Sequence, residues 1–293
     1  MKDYGLIIVD KPVGPTSHNI VSLVRRGTKI RKVGHAGTLD PRASGVLVLC
    51  LGAATRLSEY LSTSVKSYQA VIRFGSSTRT YDADGEVVRQ TGLIPRLREI
   101  QTAIPAFVGE IEQVPPPFSA IKVKGRKAYE MARAGEEFDL GPRKVTIHKL
   151  DIASFDPPDL TLEVDCSAGT YIRSLAHDLG ERLSAGAHLA GLRRTRAGPF
   201  TLEDAVVLPK LEVGFLTGKW EQYVRSAGDA LPEFLAVPVA DEDLERIRFG
   251  HRIAAAPGSQ GMAKAIGPDG ELVAILEAVD ETSEWHPRKV FLV

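Results

Sequence analysis

Apolar positions along this chain change period several times, and each change predicts an element. Residues 6–10 form a short apolar run closed by Lys11-Pro12 and Gly14-Pro15, which predicts a strand ending in a turn. Thr16 or Ser17 can then cap a helix carrying Ile20, Val21 and Val24 on one face. Residues 31–42 hold almost no apolar side chains and are expected to form a loop. Residues 46–51 are continuously apolar, as in a strand buried on both faces. A short helix is expected over 54–61 and an alternating strand over 68–74, followed by a turn at Asp82-Ala83-Asp84-Gly85.

The second half continues in the same mixed manner. Residues 96–107 read as helix, and Val114-Pro115-Pro116-Pro117 as a rigid extended linker. A strand over 119–123 and a helix over 128–134 follow, then a strand pair over 145–155 and 160–166. Residues 170–183 form an amphipathic helix ending near Gly186, and 189–195 return as a strand. A looser region with Gly214, Gly218, Gly228 and Pro232 leads to an expected boundary near 234–238. Beyond it, short apolar runs alternate with turns such as Gly267-Pro268-Asp269-Gly270, which predicts a small β-rich domain. The fold class is α+β: a catalytic-sized domain with an appended β module.

Composition narrows the class. With 293 residues, 43% hydrophobic and 25% charged, the chain can bury a core without staples. Its two cysteines, Cys50 and Cys166, sit inside apolar runs and form no paired motif, so a reducing cytoplasmic setting is expected. No apolar run approaches the roughly 20 residues of a membrane span, and no membrane partner is expected. The net charge of zero conceals an asymmetry. Residues 1–60 carry nine Lys/Arg against four Asp/Glu, and from Ala230 onward eleven acids face six bases. Five cations (Arg25, Arg26, Lys29, Arg31, Lys32) fall within eight residues, a run that taken alone reads as a solvated helix end.

Common chemical signatures are missing. There is no phosphate-binding loop, no HExxH and no paired-cysteine spacing, and the seven histidines are scattered, so neither a metal nor a nucleotide cofactor is expected. The acids of residues 82–86 do not form a calcium loop, because Thr80 and Thr91 stand where that loop needs acids. Two stretches stand out. In Val33-Gly34-His35-Ala36-Gly37-Thr38-Leu39-Asp40-Pro41 an aspartate sits against a proline just before a buried strand. Composition alone favours a turn in which Asp40 bonds nearby amides. In Gly169-Thr170-Tyr171-Ile172-Arg173-Ser174, Arg173 lies in the first turn of a helix, where a cation opposes the dipole. Either a buried carboxylate compensates it or it faces solvent.

Around these residues the chain closely resembles the tRNA pseudouridine-55 synthase (TruB) family in its bacterial stand-alone form. The matching blocks are GLIIVDKPVGPTSHNIV, KVGHAGTLDPRASGVLVLCLGAATRL, KSYQAVIRFGSSTRTYDADGE, VPPPFSAIKVKGRKAYEMARAGEEF, CSAGTYIRSLAHDLG and LAGLRRTRAGPFTL, in family order from Tyr4 to about Leu202. GHAGTLDP and GTYIR are the most specific. The end of the chain resembles a PUA-type RNA-binding module through position, length and the closing HPRKVFLV.

The resemblance implies a central mixed, largely antiparallel sheet flanked by helices over residues 1–235, with an RNA-gripping insertion near 76–95, and a PUA-like domain over 236–293. It implies isomerisation of the T-arm uridine at position 55 of tRNA to pseudouridine, with base flipping and no cofactor. Asp40 is then the catalytic carboxylate, Arg173 its ion-pair partner, and Tyr68 the residue stacked on the uracil. His35 fills the space the flipped base leaves, and Leu192 lines the uracil pocket. Lys11, Gly37 and Thr38 are carried over as substrate-binding positions. Arg25, Arg26, Lys29, Lys32, Lys122, Arg126, Arg193 and Arg194 become contacts to RNA, alongside Lys124, Lys127 and Arg196. In the last module Lys264, Arg288 or Lys289 would supply local cations. Phe118 departs from the family's usual tyrosine, so no polar role is carried over for its side chain.

Two other readings fit parts of the sequence. One is the catalytic subunit of a guide-RNA-directed pseudouridylase, which shares the GTLDP core but not the block between Pro115 and Phe138. The other is an RNA-binding or RNA-folding protein with secondary catalysis. A monomer is expected, because no heptad or long apolar edge calls for a partner.

Overall fold

The computed structural model describes residues 4–292 apart from Ala120, Lys124, Glu137 and residues 280–282, and the side chains of Lys122 and Lys127 also lie outside the described residues. The chain forms two compact units. One comprises the chain up to Pro41, Gly45–Ser62 and everything from Ala197 on; the other comprises Arg42–Ser44 and Thr63–Arg196.

In the first unit, strand Gly5–Lys11 runs antiparallel to strand Ala43–Leu51, with Gly5 opposite Leu51 and Lys11 opposite Gly45. The expected all-apolar strand is buried along residues 45–51 on both faces. Strand Val206–Val207 joins in parallel beside Val9 and Asp10. The stretch expected as a loop contains a short strand, Val33–His35, because buried Val33 pairs its backbone with Leu51 and His35 pairs with Leu49.

Helix Ser17–Thr28 begins as its sequence requires. Thr16 is the cap, and it exchanges hydrogen bonds with Asn19 in a capping box. Ile20, Val21 and Val24 are buried, each such side chain contributing about 1.5–3 kcal/mol of burial. Gly27 is required by packing: a Cβ there would lie 2.3 Å from the Phe215 ring. Phe215 belongs to helix Leu208–Thr217, in the region expected to be loose. Gly218, read there as looseness, is this helix's left-handed C-cap, and Pro209 stands in its first turn.

Toward the end of this unit lies the expected β-rich module. Strands Leu235–Pro238, Met262–Ile266, Leu272–Val279, Glu284–Val290 and Ile253–Ala254 are ordered in one five-stranded sheet around Ile247, Ala265, Val273 and Trp285. An unforeseen helix, Asp241–Arg248, carries Asp241, Glu242 and Asp243 in its first turn and Arg246 and Arg248 in its last. Much of the acidic excess of the tail therefore complements a helix dipole.

The second unit is built on antiparallel strands. Lys66–Phe74 pairs with Asp159–Cys166, which pairs with Arg143–Asp156, which pairs with Gly109–Gln113. The last of these was not foreseen, since Gly-Glu-Ile-Glu-Gln has one apolar side chain. Ala70, Ile72 and Phe74 point into a core shared with Ile147, Leu162, Leu175 and Leu179. Helix Ile172–Arg182 packs on this core. Gly180 lets it do so, because a Cβ there would sit 2.2 Å from the Ala187 nitrogen. A hairpin of Ser76–Thr78 and Val87–Gln90 encloses the Asp82–Gly85 turn, as expected.

Of the strand expected over 119–123, the described residues form Lys122–Val123, which pairs with Arg126–Lys127, and helix Ala128–Arg133 follows.

Candidate active site

Asp40 is half-buried in the loop that follows Val33–His35, and the backbone beside it is pinned from several sides. Ser17 Oγ accepts from the Leu39 N–H at 2.8 Å and donates to the Leu39 carbonyl at 3.0 Å. The Pro41 carbonyl accepts from the Gly14 N–H at 2.8 Å and from Lys11 Nζ at 3.4 Å. Lys11 is fully buried at the end of its strand and also donates to the Pro12 carbonyl at 2.9 Å. Ala36 and Leu39 are buried in the interior. Gly37 has φ of 104°, a conformation closed to most side chains, and Thr38 is exposed. Thus Leu39 and Pro41 are both held, and Asp40 between them has little backbone freedom. The polar partners of the backbone on either side of Asp40 come from the chain's first 17 residues.

In the second unit Tyr68 is half-buried near the start of strand Lys66–Phe74. It shares the strand face of Ala70, Ile72 and Phe74, and it borders the same hydrophobic cluster as Leu192. Arg173 lies in the first turn of helix Ile172–Arg182 and is 8% exposed, so it does not face solvent. Within its unit its carboxylate partner is Asp82, at 3.4 Å from Oδ2. It also donates to the Phe118 carbonyl at 3.1 Å and the Thr80 carbonyl at 3.4 Å. The side chain of Phe118 carries no polar role, but its backbone does.

Asp82 is held in turn. Its Oδ1 accepts from Thr80 Oγ1 and from the Asp84 N–H at 3.1 Å, and its carbonyl accepts from Thr78 Oγ1 at 2.6 Å. The neighbouring Asp84 pairs with Arg42. The start of the Arg173 helix is clamped by Gln113, which accepts from the Tyr171 N–H at 2.8 Å and donates to its carbonyl at 3.1 Å. Ser174 Oγ donates to the Val114 carbonyl at 2.8 Å. Asp82 and Gln113 were not singled out from the sequence. Asp82 stood inside the TYDADGE block but read as a turn residue, and Ser17 read as a helix cap.

The cations carried over as RNA contacts divide by burial. Arg25, Arg26, Lys29 and Lys32 are exposed around the end of helix Ser17–Thr28. Arg126 is exposed and pairs with Glu136 at 2.9 Å. Arg193 is partly buried, with Nη1 3.5 Å from Ser44 Oγ. Arg194 is only 1% exposed, so it belongs to the interior and not to a cationic surface. Beside it Lys66 is buried, and desolvation followed by the Arg194 charge pulls its amine down to about 8. Lys122 occupies a strand, its side chain outside the described residues, and Lys124 lies outside them altogether. In the β module Arg288 pairs with Glu277 at 3.0 Å, Lys289 pairs with Glu59, and Lys264 donates to two backbone carbonyls.

His35 is half-buried, with its backbone in the short strand. Burial raises both cysteine thiols, Cys50 to about 12 and Cys166 to about 11, so neither is a nucleophile at neutral pH. No helix among the described residues is long and apolar enough to cross a membrane.

Comparison with known proteins bears on this arrangement. The TruB family pseudouridylate synthase N-terminal domain matches residues 25–172, and the tRNA pseudouridylate synthase B C-terminal domain matches residues 173–231. The chain is similar to tRNA pseudouridine synthase B of Arthrobacter sp. (strain FB24), 45% identical with 93% of this chain and 92% of that protein covered. The same-named protein of Thermobifida fusca (strain YX) is 44% identical, covering 93% and 94%. Among solved structures, a chain of an H/ACA RNP bound to a substrate RNA containing 2'-deoxyuridine superposes with a TM-score of 0.75 at 26% identity, covering 99% of this chain and 86% of that one. A chain of a Cbf5-Nop10-Gar1 complex gives 0.75 at 28%, covering 99% and 85%. With a family domain spanning the Asp40 loop and the hairpin of Asp82, and with relatives matching nearly end to end, this chain belongs to the TruB family of pseudouridylate synthases.

Proposed function

We propose that this chain converts the uridine at position 55 in the T-arm of tRNA to pseudouridine, with Asp40 as the catalytic carboxylate and no cofactor. The observation that carries the reading is the pinning of the Asp40 loop by Ser17, Gly14 and Lys11, which fixes the backbone that carries this carboxylate. Relatives that match nearly end to end, and are named for tRNA, support the substrate.

The reaction is an isomerisation. The bond from C1′ to N1 of uracil breaks, the base turns, and C1′ joins C5. C5 loses its proton and N1 ends with one, so atoms balance without oxidant or water. Attack at C1′, attack at C6 and removal of a ribose proton all need an ionised carboxylate. One carboxylate suffices, unlike the pair of most glycosidases, because the leaving uracil spreads its charge over its own ring. In this reading Arg173 favours the ionised form of Asp40, Tyr68 stacks on the uracil, and the base leaves its stack to be reached. His35, Leu192, Gly37 and Thr38 shape the site. The exposed cations at 25–32 meet T-arm phosphates, and residues 236–293 act as a PUA-like RNA-binding domain in the cytoplasm.

Tritium release from C5-labelled uridine in a full-length tRNA transcript tests the reading. The wild type should release tritium with metal chelated, and Asp40→Asn should bind tRNA but release none. No release by either, with binding intact, would sink it. Activity on bare tRNA also separates this reading from a guide-RNA-directed subunit.

A further inference from the structure

Arg173 and Asp82 meet at 3.4 Å, a long separation for a charge-assisted contact. Thr80 Oγ1 and the Asp84 N–H hold the Oδ1 side of the Asp82 carboxylate, and the residue before Asp82 adds a second constraint. Its predecessor, Tyr81, is one of the few non-glycine residues in the left-handed region, with φ of 63°. An aromatic residue adopts that conformation only where its surroundings over-determine it.

The surroundings are specific. The Tyr81 ring lies flat on the His177 ring, with centroids 3.8 Å apart and planes 5° from parallel. His177 follows Arg173 by four residues on the same helix, so the two side chains emerge on one face, one turn apart. The dipeptide Tyr81-Asp82 therefore meets this helix at two successive rungs: ring on ring, then carboxylate on guanidinium. The backbone around it is tied to one strand residue, with the Leu189 N–H donating to the Tyr81 carbonyl at 2.9 Å and the Ala83 N–H to the Leu189 carbonyl at 3.0 Å. Those bonds hold the dipeptide in place, and the stack sets its rotation.

His177 Nδ1 is buried with no hydrogen-bond partner among the described residues, so what it offers Tyr81 is the ring face. Burial lowers the His177 pKa against an opposing push from Glu181, and burial, with Asp178 and Glu181, raises that of Tyr81. Both rings are neutral at pH 7, and Glu181 is itself paired with Arg89.

We propose that Tyr81 and His177 are positioning residues whose stack holds Asp82 in line with Arg173, and that losing the stack slows the chemical step without weakening tRNA binding. The proposal rests on the reading above, in which Arg173 acts on the catalytic carboxylate. A displacement of about 1 Å in such a supporting group can cost on the order of a hundredfold in rate.

The test is single-turnover tritium release at saturating tRNA, with the tRNA dissociation constant measured beside it. Wild type, Tyr81→Phe, Tyr81→Leu, Tyr81→Ala, His177→Ala, Tyr81→Ala/His177→Ala and Asp82→Asn are compared. Tyr81→Phe keeps the ring face and should stay within about threefold of wild type. Tyr81→Leu keeps apolar bulk, which guards against simple unfolding, yet should fall about tenfold to a hundredfold, as should each alanine variant. The double variant should be no slower than the slower single, because the two rings form one device. All should bind tRNA within about twofold of wild type. Ring-less variants at wild-type rate, multiplying losses in the double, or a loss confined to binding would overturn the proposal. If the wild type releases no tritium, the underlying reading fails. If wild type is active and Asp82→Asn slow while the ring-less variants match wild type, only the positioning role fails.

Discussion

Ser17 Oγ grips both backbone polar groups of Leu39, accepting from its N–H at 2.8 Å and donating to its carbonyl at 3.0 Å. Ser17 starts a helix, and Leu39 immediately precedes Asp40, so one hydroxyl couples a rigid element to the loop of the proposed catalytic carboxylate. Ser17→Ala leaves two buried backbone groups unsatisfied. We expect a loss of about 1–3 kcal/mol in stability by urea denaturation. Single-turnover tritium release should fall at least tenfold with tRNA affinity retained, since the loop loses its anchor. A Ser17→Ala variant at wild-type rate would show that Lys11 and Gly14 hold the loop unaided.

The Arg173–Asp82 pair is buried, with side-chain exposures of 10% and 17%. Removing one member strands a charge, so Arg173→Met should destabilise the protein by about 3–5 kcal/mol in a denaturant titration. Arg173→Met combined with Asp82→Asn should recover a good part of that loss while remaining inactive. Equal losses for the single and double variants would count against an ion pair with structural weight.

Asp178 is raised from 3.8 to about 6, first by burial and then by Glu181. The folded state thus holds a proton that the unfolded state has released between about pH 4 and 6. Stability from this group falls as pH rises through that window, and the penalty is complete above it. With the partial exposure of Asp178 allowed for, the penalty is about 1–2 kcal/mol. Asp178→Asn should melt a few degrees higher than wild type at pH 7, and the gap should close near pH 4. A gap independent of pH would refute the assignment.

Gly180 faces the Ala187 nitrogen so closely that a Cβ would sit 2.2 Å away. Gly180→Ala should therefore cost about 1–3 kcal/mol despite the better helix propensity of alanine. Because this helix carries Arg173, activity should fall with it; an unchanged melting temperature would contradict the packing.

Much of this protein was determined by local pattern. The apolar run at 46–51 had to be a buried strand, Thr16 or Ser17 had to cap a helix, and the alternation from Tyr68 to Phe74 placed Tyr68 on the core-facing side. The blocks around Asp40 and Arg173 carried the family. Misread segments were those whose signals cut both ways: Gly218 ends a helix as well as it marks a loop, and Gly109–Gln113 has almost no alternation to read. Tertiary structure alone decided which polar groups serve the site. Ser17 meets Leu39 across 22 residues, Gln113 clamps Tyr171 across 58, and Asp82 meets Arg173 across 91. No periodicity encodes such partners. They are chosen because a buried donor, acceptor or charge must find its complement wherever the packed core brings one within reach.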